Sequence, residues 1–171
     1  MKIYKLLSVL LEYPDQELMD HLPELLVLVP QLEADHTERE ALQSFIHYLQ
    51  GKPLTELQAD YVKTFDMVPE HSLHLTHHLF GDDKNRGPAL IDLGELYKDY
   101  GVEVVTNELP DYLPLILEFT AQLDDNEATV FLADAKKVFT VLTENLTKVE
   151  SPYAALLSMI ENRATLSKLA A

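Results

Sequence analysis

Apolar residues recur along most of the chain at the spacing of an α-helix. Near the start, Ile3, Leu6, Leu7 and Leu10 lie at positions i, i+3, i+4 and i+7, which places them on one helical face. Similar stripes follow in the later segments, and a strand would instead require apolar and polar residues to alternate. The pattern predicts an all-α fold, with residues 1–171 forming one helical bundle of about eight to nine helices.

Proline residues and capping residues divide this pattern into separate helices. Tyr13 ends the first helix, because a residue that precedes a proline is kept out of the helical conformation. In the second half of the chain we expect one helix from Asp111 to Leu123, with Asp111 as its N-cap. A single long helix is then expected from about Asn126 to Val149.

Composition and charge exclude several classes of function. The 171 residues contain 13 Lys and Arg, 29 Asp and Glu and no Cys, so the net charge is −16. Without cysteine there are no thiolate nucleophiles, iron–sulfur clusters or cysteine zinc sites. Nucleic acid is not expected as a partner, because phosphate contacts need Lys and Arg. The acidic stretches between Lys5 and Arg39 and between Lys98 and Lys136 favour a basic partner, although such stretches are also typical of a solvated surface.

No segment has the properties of a membrane span or a targeting peptide. The longest apolar run, Leu25 to Val29, is far shorter than the ~20 residues that cross a bilayer. The first residues do not open a signal peptide, because acidic residues follow by Glu12. We therefore expect a soluble, cytoplasmic protein that does not insert into a membrane.

Four histidines close together in the sequence are the candidate for a metal site. His71, His74 and His78 would share one face of a helix, with His77 beside them. No HExxH pattern accompanies them, so structural histidines are the preferred interpretation, and a histidine-based metalloenzyme is the alternative. No glycine-rich phosphate loop, nucleophile or oxyanion donor is recognisable. We therefore expect no enzyme and no tightly bound cofactor.

Arg86 lies in a polar loop before a predicted helix that carries Asp92. With Asp82 and Asp83 also nearby, we expect Arg86 to form a structural ion pair. Either burial of its guanidinium group or bidentate pairing with Asp92 would fix the loop against the helix.

Several short motifs occur in a defined order over most of residues 6–160. They are Leu11 to Asp15, Tyr61 with Phe65 and Asp66, Gly81-Asp82 with Arg86-Gly87, Ala89 to Leu93, and Glu108 to Pro114 running into Leu117 to Phe119. This ordered set resembles the nitrate reductase molybdenum cofactor assembly chaperones, the NarJ family, within the TorD- and DmsD-like maturation chaperones. Tyr112 stands where that family commonly has a histidine.

The resemblance implies an all-helical chaperone without enzymatic activity. Its implied client is the catalytic α subunit of a respiratory nitrate reductase, bound at a twin-arginine-like N-terminal segment. The chaperone would assist molybdenum cofactor insertion before the client docks at the membrane. Acidic faces and an apolar groove would suit a basic amphipathic segment. The alternative is a chaperone of the same fold for a dimethyl sulfoxide or trimethylamine N-oxide reductase, and a homodimer remains open.

The resemblance also implies a set of client-binding residues, with Phe65 and Leu113 as apolar lining. The set is Phe65, Asp66, Arg86, Asp92, Glu108, Asp111, Tyr112, Leu113 and Glu118. Alternatively, Asp111 and its neighbouring prolines only shape a turn and a helix start.

Overall fold

The computed structural model describes residues 2–166, and all regular structure in that range is helical. The ten α-helices are α1 (Ile3–Leu11), α2 (Gln16–Leu28), α3 (His36–Gln50), α4 (Leu54–Tyr61), α5 (Leu75–Phe80), α6 (Arg86–Asp99), α7 (Leu113–Thr120), α8 (Asp125–Ala133), α9 (Lys136–Lys148) and α10 (Ala154–Arg163). Short 3₁₀ turns lie at Val29–Gln31 and Pro69–His71, and a π-helical turn lies at Val62–Asp66. The predicted all-α fold is confirmed. The predicted single domain runs beyond residue 166, outside the described residues, and stays a prediction.

Helix α1 lies in the interior and packs along α7. Seven of its nine residues are buried, because neighbouring helices cover most of its surface. The buried Ser8 hydroxyl donates a 2.7 Å hydrogen bond to the carbonyl oxygen of Pro114 at the start of α7. One turn earlier, Lys5 Nζ lies 2.6 Å from Glu118 Oε1. A hydrogen bond and an ion pair therefore fix the register between the two helices.

The last helix is held against α3 by an arginine. Arg163 Nε donates to Glu38 Oε1 at 2.7 Å and its Nη2 donates to Glu38 Oε2 at 2.9 Å. Both side chains are largely buried, so this bidentate ion pair is shielded from solvent. No helix among residues 2–166 has the length and apolar character needed to cross a bilayer.

Two predicted helix boundaries are wrong. The predicted helix from Asn126 to Val149 is divided between α8 and α9, although no proline or glycine lies at the break. The break lets α8 pack on α7 while α9 packs on α10, so tertiary contacts override local helix propensity. Helix α7 is also shorter than expected, and its N-cap position is Tyr112 rather than Asp111.

Substitution in α1 tests this packing. We expect Leu7→Ala to lower the free energy of unfolding by about 2–5 kcal/mol, because Leu7 is fully buried and a cavity would remain. Val27→Ala is the control, since Val27 is 66% exposed, and its effect should stay within about 0.5 kcal/mol. Urea denaturation of both variants measures the difference, and equal effects would contradict the central position of α1.

Candidate functional site

A short pairing of two extended segments joins the start of α5 to the start of α7. Leu113 N donates to the carbonyl oxygen of Leu73 at 2.8 Å, and Leu75 N donates to the carbonyl oxygen of Asp111 at 3.2 Å. Between these bonds, His74 and Tyr112 form an isolated antiparallel bridge. Successive side chains of an extended segment point to opposite sides, so Asp111 and Tyr112 face different parts of the molecule.

Asp111 is fully buried and caps a helix remote from it in sequence. Its Oδ2 accepts hydrogen bonds from the backbone N of Thr76 at 3.0 Å and from the Thr76 hydroxyl at 2.5 Å. Thr76 lies in the first turn of α5, where backbone N–H groups have no partner within the helix. The predicted role of Asp111 as the N-cap of its own helix is therefore wrong. Its other oxygen, Oδ1, is buried without a hydrogen-bond partner among the described residues.

Arg86 reaches Asp111 through Thr76. Its Nε donates to the Thr76 hydroxyl oxygen at 2.9 Å, while that hydroxyl donates to Asp111. The predicted ion pair between Arg86 and Asp92 is absent from the ion pairs of the described residues. Both residues lie on α6, and six positions along a helix turn two side chains away from each other.

An apolar groove lies beside this chain of hydrogen bonds. It has a volume of about 500 Å³ and is bounded by α5, α6, the start of α7, α8 and the first turns of α9. Three carboxylates, Asp92, Asp111 and Asp134, line it together with Leu75, Leu79, Phe80, Leu93, Leu96, Ile116, Phe131 and Phe139. Asp92 and Asp134 are exposed at its rim, whereas Asp111 is buried. We call this feature the α5–α9 groove.

Tyr112 faces the other side of the molecule and belongs to a chain of hydroxyl groups. Tyr61 donates its hydroxyl hydrogen to the carbonyl oxygen of Leu11 at 2.8 Å, so Tyr112 is the donor in the 2.8 Å bond between the two hydroxyls. Burial raises the pKa of Tyr112 to about 12, which keeps the hydroxyl neutral. The His74 ring stacks on Tyr112 with centroids 5.2 Å apart, and His74 Nε2 lies 3.5 Å from Glu108 Oε2.

Glu108, Tyr112 and Glu118 line a second groove. It consists of two adjoining cavities of about 400 Å³ and 250 Å³, which share Glu12 and Tyr13. The larger cavity runs along α2, and the smaller one lies between the end of α1 and α7. We call them together the α2–α7 groove. Burial, and next the negative charge of Glu118, raise the pKa of Glu12.

The remaining predicted site residues line neither groove. Phe65 and Leu113 are buried in the core, where the Phe65 ring packs 4.8 Å from the rings of Tyr61 and Tyr153. They do not form the expected apolar lining, because the π-helical turn and the first turn of α7 direct them inwards. Asp66 is exposed at the end of that π-helical turn.

The predicted histidine face does not form. His71 ends a 3₁₀ turn and His74 precedes α5, so only His77 and His78 lie on the same helix. His71 Nδ1 donates to the carbonyl oxygen of Thr64 at 2.8 Å, and burial lowers the pKa of His78. Among residues 2–166, no three His, Asp or Glu side chains are arranged to hold a metal ion. His78 Nε2 lies 2.6 Å from the carbonyl oxygen of Ser72, so His71 and His78 are both held by backbone carbonyl groups.

Comparison with protein families identifies the family of the chain. The family model described as "Nitrate reductase delta subunit" matches residues 31–158, which include every residue that lines the α5–α9 groove and the whole segment before α7. The chain belongs to the nitrate reductase delta subunit family. The family match thus includes Asp111, Tyr112 and Arg86.

Several relatives of the chain are named as nitrate reductase molybdenum cofactor assembly chaperones. The chain is 35% identical over 156 residues to the nitrate reductase molybdenum cofactor assembly chaperone NarJ of Escherichia coli K12, covering 91% of this chain and 66% of that protein. It is 33% identical to the probable chaperone NarW of the same strain, covering 91% and 65%. It is 32% identical to the probable chaperone NarJ of Bacillus subtilis 168, covering 92% and 85%. The predicted NarJ family membership is confirmed, and these names agree with the prediction that the chain is not an enzyme.

Sequence reasoning missed residues in both grooves. Phe131, Asp134 and Phe139 line the α5–α9 groove from the region where one long helix was expected. Glu12 and Tyr13 join the two cavities of the α2–α7 groove, and their only signal was the motif from Leu11 to Asp15.

Removing the hydroxyl group of Thr76 tests the hydrogen-bond chain. We expect Thr76→Val to lower the free energy of unfolding by about 1–3 kcal/mol, because buried Asp111 loses a donor and Arg86 loses an acceptor. Thr120→Val is the control, since that buried hydroxyl donates to the Ile116 carbonyl within its own helix. Thermal denaturation should show a smaller decrease in the free energy of unfolding for Thr120→Val than for Thr76→Val. A larger decrease for Thr120→Val would contradict the hydrogen-bond chain.

The raised pKa of Glu12 predicts a pH-dependent change in stability. A carboxyl whose pKa is higher in the folded chain than in the unfolded chain destabilises the fold once it ionises. This destabilisation vanishes when the pH falls below the ordinary pKa of a glutamate, because the carboxyl is then protonated in both states. We therefore expect Glu12→Gln to raise the melting temperature at neutral pH and to leave it nearly unchanged below about pH 4. The same gain at both pH values would show that the charge of Glu12 is not its cause.

Proposed function

We propose that this chain is a cytoplasmic chaperone for the catalytic α subunit of a respiratory nitrate reductase. It binds the N-terminal segment of that client, assists molybdenum cofactor insertion, and delays docking at the membrane. Family membership and the names of the relatives support the chaperone role. The α5–α9 groove supports the binding part, because it joins an apolar floor to the exposed carboxylates of Asp92 and Asp134.

The groove chemistry suits a segment with both basic and apolar side chains. Apolar residues of the client would pack against Phe131 and Phe139, where burial supplies affinity. Lys or Arg residues would reach the exposed carboxylates of Asp92 and Asp134 at the rim. The net charge of −16 would also attract a basic segment over a distance set by ionic strength.

Asp111 contributes to this site mainly by holding its wall. It fixes the first turn of α5 through Thr76, so a substitution at Asp111 would disturb folding as well as binding. Its Oδ1 has no hydrogen-bond partner among the described residues, but this atom is buried and offers no accessible acceptor to the client. Asp92 and Asp134 are better positions for a binding test, because their side chains are exposed.

Calorimetric titration with a synthetic N-terminal peptide of the nitrate reductase α subunit tests the proposal. We expect micromolar or tighter binding at low salt, with the affinity falling as ionic strength rises. The double variant Asp92→Asn and Asp134→Asn should weaken binding about fivefold to thirtyfold, since each charge contact contributes up to about 1 kcal/mol. Glu144→Gln removes an exposed charge that lines neither groove and should leave affinity unchanged.

The possible results distinguish an error in the proposed client from an error in the proposed binding site. Absence of binding at low salt by the folded protein would overturn the proposal. Binding that ignores Asp92 and Asp134 would reject the α5–α9 groove as the site. Tighter binding of the corresponding peptide from a dimethyl sulfoxide or trimethylamine N-oxide reductase would assign the chaperone to that class of client instead.

A further inference from the structure

A third cavity, of about 350 Å³, shares no lining residue with either groove. It is bounded by the end of α3, by α4 with the π-helical turn after it, and by the turn between α9 and α10. Its volume lies in the range of cavities that hold small molecules. Its main polar lining residues are Tyr48, Lys52, Asp60, Lys63, His71 and Tyr153. We call it the Tyr153 cavity.

Two buried side chains of this cavity each have a polar atom without a hydrogen-bond partner among residues 2–166. His71 is 5% exposed and Tyr153 is 1% exposed. His71 Nδ1 donates to the carbonyl oxygen of Thr64, which leaves Nε2 without a hydrogen bond, and the Tyr153 hydroxyl has none either. In the described structure, the fully enclosed side-chain atoms that lack a partner are Arg39 Nε and Asp111 Oδ1. His71 Nε2 and the Tyr153 hydroxyl therefore reach open space, which is the cavity that both residues line.

The lining of the Tyr153 cavity carries positive charge, whereas the two grooves combine apolar residues with carboxylates. In the described part of the chain, no Lys or Arg lines either groove, but Lys52 and Lys63 line this cavity. Asp60 Oδ2 accepts hydrogen bonds from Lys52 Nζ at 2.8 Å and from the Tyr48 hydroxyl at 3.1 Å. The hydrogen bond from Lys52 lowers the pKa of Asp60, so these two charges compensate each other. Lys63 and Glu150 are exposed at the edge of the cavity.

The two unpartnered groups offer different hydrogen bonds to a ligand. Burial raises the pKa of Tyr153, and the nearby Tyr48 and Asp60 raise it further, so the hydroxyl stays neutral and is able to donate. Because His71 Nδ1 carries a hydrogen, Nε2 accepts when the ring is neutral and donates when the ring is charged. A phosphate monoester suits both states, since with a second pKa of about 6 it exists with and without one P–OH group.

We propose that the Tyr153 cavity binds a small organic phosphate monoester. The Tyr153 hydroxyl and His71 Nε2 contact the phosphate oxygens, and Lys63 supplies positive charge at the edge. The organic part of the ligand packs against Val68 and Val149, which line the cavity as well. The net charge of −16 repels an anion at long range, but salt screens this repulsion beyond the Debye length, so the lining groups decide the affinity. This inference does not rest on the proposed function.

Titration with phenyl phosphate, followed by NMR, tests the site. At about 0.15 M salt we expect saturable shifts of the His71 ring signals and of the Val68 and Val149 methyl signals, with millimolar or tighter affinity. Benzenesulfonate is the matched probe, because it has the same ring on a tetrahedral anion but no acidic hydrogen at neutral pH. It should bind about fivefold more weakly or worse, since it cannot donate to a neutral His71.

Matched variants assign the binding to the lining groups. Tyr153→Phe removes only the hydroxyl and should weaken phenyl phosphate binding about tenfold, while the melting temperature should not fall, because that group has no partner among the described residues. Lys63→Gln should weaken binding about threefold, and Glu150→Gln should strengthen it by a similar factor. Tyr100→Phe and Lys137→Gln change exposed groups that do not line the cavity, so both should leave the affinity unchanged.

Three results would each overturn the phosphate site. They are the absence of saturable shifts, equal affinity for benzenesulfonate, and unchanged affinity in Tyr153→Phe. Saturation with the nitrate reductase peptide should leave phenyl phosphate binding unchanged, because the Tyr153 cavity and the α5–α9 groove share no lining residue. Failure of that peptide to bind would overturn only the proposed function.

Discussion

The pairing between the segments before α5 and before α7 is the constraint on which both grooves depend. Two backbone hydrogen bonds join segments almost forty positions apart, at Leu73 with Leu113 and at Leu75 with Asp111. Because one extended segment presents alternate side chains to opposite sides, Asp111 enters the α5 wall while Tyr112 joins the hydroxyl chain to Leu11. A shift by one residue would exchange these two side chains, so the register fixes both surfaces together.

Burial of Asp111 gives the segment before α7 a role in the stability of the fold. A carboxylate removed from water is costly unless donors surround it, and here the first turn of α5 and the Thr76 hydroxyl supply them. Arg86 adds a positive charge one hydrogen bond further away, on the far side of Thr76. Two residues expected to bind a partner therefore also hold α5 in place. The exposed carboxylates around them are free to act on a partner without affecting this network.

Periodicity predicted the fold class because apolar spacing is a local property that burial in a helical bundle preserves. It also predicted the first helix, since Ile3, Leu6, Leu7 and Leu10 are all buried. Boundaries set by distant partners were not predictable: Asp111 caps α5 instead of α7, and α8 separates from α9 without a proline or glycine. Among the site residues, the ordered motifs indicated Glu108, Tyr112 and Glu118, which share a cavity. They could not show that Asp92 and Asp111 line a different groove, because this depends on the extended segment.

In both grooves, carboxylates supply long-range attraction and apolar residues supply affinity at contact. Exposed carboxylates at each rim act over roughly the Debye length, about 10 Å at moderate salt, and gain little free energy individually. The apolar floors gain free energy only after water has been displaced, so they act at contact. A segment that orders on binding also loses conformational entropy, which limits its affinity and keeps the complex reversible. For a protein proposed to hold a client and later release it, weak rims over modest apolar floors are the physically suitable combination, since rising salt or competition by the client's own folding can end the contact.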